Sequence, residues 1–116
     1  MPVLKKEIEL NDGKKIWVRQ ASGMDKLKIE AIQAKVLRRF RHFGTNPEEW
    51  SDDQQQEFAD ALEEEGGGLT AQIKEWIPPC IISENVDADM LTATELRMLL
   101  GFVRGDEVEG AVPLES

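Results

Sequence analysis

Residues 4 to 10 and 14 to 20 alternate apolar and polar positions, with Leu4, Ile8 and Leu10 on one face of the first run and Ile16 and Val18 on the matching face of the second. Asn11-Asp12-Gly13 separates the runs, and an Asp-Gly pair supplies the positive φ angles of a tight turn, so a β-hairpin is predicted over 4–20. Lys5, Lys6, Lys14, Lys15 and Arg19 point outward, and Trp17 shares that polar face. The period then lengthens. Ser22 with Asp25 three residues on forms a loose capping box, and Met24, Leu27, Ile29, Ile32, Val36, Phe40 and Phe43 recur at near-helical spacing, predicting a helix over 23–41 that Gly44 stops.

Asn46-Pro47-Glu48-Glu49 offers a new start, with Ser51 and Gln54 as a second cap. Phe58, Ala61 and Leu62 mark the buried stripe of a helix over 47–65. Gly66-Gly67-Gly68 reads as a hinge or mobile loop, because glycine loses the most freedom on ordering. Leu69, Ile73, Trp76 and Ile77 suit a third helix over 69–77, closed by Pro78-Pro79. Thr92 to Glu95 is a capping box for a last helix over 93–104 with Leu96, Leu99, Leu100 and Val103 inward. Residues 106–116 lack periodicity and read as a flexible, disordered acidic tail. The expected fold is α+β, mostly α: an N-terminal hairpin followed by four helices and the tail.

At 116 residues the chain has the size of one domain, expected over 1–105. The hydrophobic and charged fractions, 41% and 32%, are those of a folding chain. No apolar run approaches the roughly 20 residues that cross a bilayer, and the lysine-rich start lacks the features of a signal peptide, so a cytosolic protein is expected. A single cysteine, Cys80, excludes an internal disulfide. The net charge of −9 divides into +6 over residues 1–45 and −15 over the remainder. The acidic part would repel phosphate, which orients the reading toward protein partners, with nucleic acid last.

Catalytic chemistry is poorly supported, and no enzyme, metal or cofactor is expected. His42 lies in a basic run at a helix end, and Cys80 beside Pro79 and Ile81 reads as a small buried hydrophobe. Glu63-Glu64-Glu65 and Glu48-Glu49 are runs on solvent faces rather than isolated acids in a pocket. The glycine triplet lacks the preceding strand and following Lys-Ser/Thr of a phosphate loop, and Asp87-Ala88-Asp89 lacks the rest of a calcium loop. The candidate site residues are therefore partner-binding. Lys35, Arg38, Arg39 and Arg41 could pair with the acidic second helix or meet an acidic partner. Trp50 and Trp76, at helix margins, are either core or exposed anchors.

Three segments carry a family resemblance: Ile8-Glu9-Leu10-Asn11-Asp12-Gly13-Lys14-Lys15-Ile16-Trp17-Val18-Arg19, Trp76-Ile77-Pro78-Pro79-Cys80-Ile81, and Leu91-Thr92-Ala93-Thr94-Glu95-Leu96 leading into Leu99-Leu100-Gly101-Phe102. In this order, around a long helix and an acidic middle, they resemble the tail assembly chaperones of long-tailed phages. The triple glycine departs from that pattern. The resemblance implies binding to the tape measure protein, the helical ruler of the tail tube. It also implies self-association as a homo-oligomer, a frameshifted longer form of the same chain as a further partner, and action in the host cytoplasm with no place in the mature virion. A different class of function, a small regulatory adaptor that binds DNA or a DNA-binding protein through the basic first helix, is the alternative.

Overall fold

The computed structural model describes residues 3–115, whose elements in chain order are β1 (Leu4–Glu9), β2 (Lys15–Arg19), α1 (Gly23–Arg39), α2 (Asp52–Glu65), α3 (Leu69–Cys80), α4 (Ala93–Arg104) and β3 (Val112–Pro113). The class is α+β, mostly α, as expected. The chain, read above as one domain, forms two compact units: Met1–Asp25 with Ile73–Ser116, and Lys26–Gln72.

The first unit is built on the hairpin. β1 and β2 pair antiparallel with Ile8 opposite Ile16 and Lys6 opposite Val18, and the turn closes through the Gly13 amide, which donates to the Leu10 carbonyl. Ile8, Leu10, Ile16 and Val18 are buried, as the alternation predicts, while Trp17 lies on the other face with Lys5 Nζ 5.3 Å from its ring centroid. Residues 81–83 lie along the outer edge of β2: the Ile82 amide donates to the Trp17 carbonyl, and the Trp17 amide donates to Ser83 Oγ.

The other edge corrects an expectation. The acidic segment read as a disordered tail returns to the sheet, where Val112 and Pro113 of β3 face Lys5 and Leu4 of β1 and the Leu114 amide donates to the Val3 carbonyl. Two residues suffice because a strand edge holds unpaired backbone groups whatever the side chains opposite, and Pro113 is tolerated on an edge.

α4 fastens this unit from both ends. Thr92 and Glu95 form the predicted reciprocal capping box, and Glu95 Oε2 also accepts from the Asn11 amide in the hairpin turn at 3.0 Å. At the other end the Val103 carbonyl accepts from the Ala21 amide. α3 runs through Pro78 and Pro79 to Cys80 rather than stopping before them. Two backbone donors are lost, yet Trp76, Ile77 and Cys80 are buried, so packing holds the last turn against its propensity. Before α1, Ser22 and Asp25 cap each other, and Arg19 Nη1 meets Asp25 Oδ2 at 2.9 Å.

The second unit is an aromatic cluster. Val36, Phe40, Trp50 and Ala61 are buried with Ile32, Phe43, Phe58 and Leu62 packed against them. Phe40 with Phe58, Phe43 with Trp50, and Trp50 with Phe58 meet at centroid distances of 5.5–5.6 Å and interplanar angles of 72–88°, the edge-to-face geometry that ring quadrupoles favour, while Phe40 and Phe43 are tilted at 54°. α1 ends at Arg39, two residues short of the prediction, and a 3₁₀ turn over Arg41–Phe43 leads to Gly44 at φ 120°. Asn46 and Pro47 begin only a second 3₁₀ turn, whereas the Ser51–Gln54 box starts α2. Trp50, extended between them, separates the two starts while its indole enters the core.

The triple glycine, read above as a hinge or mobile loop, forms a hydrogen-bonded turn. Gly66 takes φ 81°, its amide donates to the Glu63 carbonyl and the Gly67 amide to that of Leu62, which is a Schellman closure of α2. Gly67 is buried, accepts from Gln33 Nε2, and lies so close to Ile32 that a Cβ would stand 2.8 Å from its Cγ2.

Candidate partner-binding surface

Successive residues of a helix are rotated by about 100°, so the apolar positions of α1 divide between two sides. Ile29, Ile32, Val36 and Phe40 are buried or half-buried. Leu27, counted above with that stripe, belongs to the opposite side and is 59% exposed. On that outward side Leu27, Ala31, Ala34 and Arg38 recur at intervals of four, three and four residues, flanked by Lys35 on one side and Leu37 on the other. Leu37 is 39% exposed.

All four predicted basic residues are exposed, and among the described residues only Arg39 pairs with the acidic second helix. Its Nη1 lies 3.2 Å from Glu65 Oε1 at the far end of α2, with both side chains nearly half exposed. Such a pair contributes only tenths of a kcal/mol. Lys35, Arg38 and Arg41 have no ion-pair partner among the described residues. The acidic face of α2 therefore leaves three of the four cations unneutralised.

Arg38 and Arg41 line a cavity of about 410 Å³ together with Leu37, Gly44 and Thr45. The loop side of this cavity is anchored from within: Trp50 Nε1 donates to the Gly44 carbonyl at 3.2 Å, and a Cβ on Gly44 would meet that nitrogen at 3.5 Å. Trp50, predicted as core or anchor, is 5% exposed and acts on the surface only by fixing the Gly44 backbone. Trp76 is 4% exposed, in the first unit, and also core. Of the six predicted partner-binding residues, Lys35, Arg38 and Arg41 share the outward face; Arg39 turns to Glu65 and both tryptophans face inward. Leu27, Leu37, Gly44 and Thr45 were not predicted. The spacing of Leu27 to Arg38 carried a signal for Leu27, but Leu37 and the loop positions carried none.

The carboxyls whose titration moves are not those of a general acid. Glu95 lies below the ordinary glutamate value because the Thr92 amide, then the Asn11 amide, donates to it. Glu63 is lowered by the Thr70 amide, and Asp25 by the Ser22 amide and then by Arg19. Each shift favours the ionised form, as expected of a cap, whereas a general acid needs the opposite shift. Cys80 is fully buried, and His42 is exposed, 4.4 Å from the Phe43 ring. No group of three metal-ligating side chains occurs among the described residues, and no helix is long and apolar enough to cross a membrane. Comparisons with protein-family models, with curated proteins and with solved structures find no match to this chain.

Proposed function

We propose that this chain is a tail assembly chaperone of a long-tailed phage, which binds the tape measure protein and keeps it soluble until the tail tube is built around it. The observation that carries the reading is the outward side of α1 and the turn after it, where Leu27, Leu37, Lys35, Arg38 and Arg41 are exposed and the three cations have no ion-pair partner among the described residues. A long amphipathic ruler exposes apolar stripes before it is enclosed, and a helical surface that is apolar at its centre and charged at its rim can cover them. The strongly acidic remainder of the chain would keep such a complex soluble. Under this reading the protein works in the host cytoplasm, as an oligomer, before assembly ends.

Co-expression with the tape measure protein of the same phage tests it, the ruler being purified by a tag and its complex weighed by light scattering. The expected result is a defined complex, with the ruler soluble only when this chain is present. A ruler that precipitates while this chain stays behind overturns the reading. Tight, steeply salt-dependent binding to duplex DNA would instead favour the regulatory adaptor.

A further inference from the structure

We infer that the outward face of α1, continued into the cavity at its C-terminal end, docks an amphipathic α-helix whose apolar seam is flanked by carboxylates. The inference deepens the proposed function by naming the surface and the chemistry of its occupant, and rests on that reading only for the ruler's identity. Leu27, Ala31, Ala34 and Arg38 recur at the alternating three- and four-residue spacing with which one helix meets another along a seam. The side of α1 that carries Ile29 and Val36 is already buried, so this seam is a second, outward one. At its end Leu37, Arg38, Arg41, Gly44 and Thr45 line an open groove of about 410 Å³, which could take one or two side chains of an arriving helix.

Charge selects the occupant. Lys35, Arg38 and Arg41 lie within a segment, Lys26–Thr45, that holds six Lys and Arg against Glu30 alone. None of the three has an ion-pair partner among the described residues. An occupant with carboxylates beside its seam gains opposite charges and hydrogen-bond acceptors for both guanidiniums. A second copy fits less well. The exposed face of α2, the acidic helix this chain could offer, bears Asp53, Glu57, Asp60 and Glu64 but no large apolar side chain, so it would match the charges and leave Leu27 and Leu37 uncovered. Nucleic acid also leaves the two leucines without a counterpart.

The test uses the full chain, isotope-labelled for NMR, and a synthetic helical peptide of about 21 residues with leucines at seam positions and glutamates beside them. The expected result is saturable binding with amide shifts concentrated between Leu27 and Thr45. R38E/R41E should weaken it by at least about tenfold, and L27A/L37A should weaken it as well. R38Q/R41Q removes the charges without reversing them at a helix end, and circular dichroism of each variant verifies its fold. Equal binding of the same peptide with lysines for glutamates, shifts elsewhere in the chain, tighter binding of duplex DNA, or self-association abolished by R38E/R41E would each overturn the inference. Co-purification of the ruler with R38E/R41E as with the unaltered chain would remove this surface and leave the chaperone reading standing. A bound peptide with a ruler that is not retained would do the reverse.

Discussion

Glu95 is a buried acid with two duties, since Oε1 accepts from the Thr92 amide to cap α4 and Oε2 accepts from the Asn11 amide to hold the hairpin turn. Its folded-state pKa lies below the ordinary 4.5, so the stability it contributes is fully present above that value and is lost as pH falls through the lower folded value. E95Q, which turns an amide N–H₂ toward one of these donors, should therefore lower the unfolding midpoint at pH 7. The gap from the unaltered protein should narrow as the carboxylate protonates below 4.5, and denaturation at several pH values reads both. Gly67 poses a steric question instead. A Cβ there would stand 2.8 Å from Ile32 Cγ2, so G67A should destabilise by about 1–3 kcal/mol through overpacking. G66A meets no neighbour but forces alanine to φ 81°, at about 1 kcal/mol. Chemical denaturation separates the two.

The elements differ in how far their own residues specify them. The Ser22–Asp25, Ser51–Gln54 and Thr92–Glu95 boxes all form where the sequence puts them, because each is closed by residues three apart. T92A should cost about 1 kcal/mol, measurable as a lower melting temperature. β3 is the contrasting case: two exposed residues, one of them a proline, that become a strand only because β1 has a free edge. Removing residues 112–116 should leave the β1–β2 hairpin and its amide protection intact and lower stability by about 1 kcal/mol or less, since β3 is two exposed residues long and joins the sheet only at its edge. α3 lies between these extremes. Its start is helped by Glu63 Oε1, which accepts from the Thr70 amide, but its last turn survives two prolines through the burial of Ile77 and Cys80.

At the scale of the molecule, two cores of different character appear. The first unit buries mainly aliphatic side chains between sheet and helices, while the second is organised around Phe40, Trp50 and Phe58. W50A should therefore cost about 3–5 kcal/mol of the second unit's stability, read as faster amide exchange in α2. It should also loosen the Gly44 carbonyl that borders the Arg38–Arg41 cavity. The charge division follows the chain rather than the cores, and it is incompletely neutralised: Arg39 finds Glu65, whereas Lys35, Arg38 and Arg41 remain outward.

Much of this was readable from residue order. The hairpin with its Asp-Gly turn and the three capping boxes depend on residues a few places apart, and local backbone chemistry acts over that range; the basic start and acidic remainder are read from composition alone. Other features depend on residues far apart in sequence. Periodicity joined Leu27 to the inward stripe of Ile29 and Val36, although a helix carries apolar residues on any side and only its neighbours settle which side is covered. Trp50 was readable as core or as anchor until the rings of Phe43 and Phe58 packed against it in the cluster that also holds Phe40. The acidic segment looked structureless because its pairing partner, β1, lies some hundred residues earlier. Likewise the candidate surface could be named by charge from Arg38 and Arg41, but its availability follows from where α2 directs its carboxylates. Burial, edge pairing and ion pairing are properties of three-dimensional neighbours, and a sequence specifies those neighbours only through the whole fold.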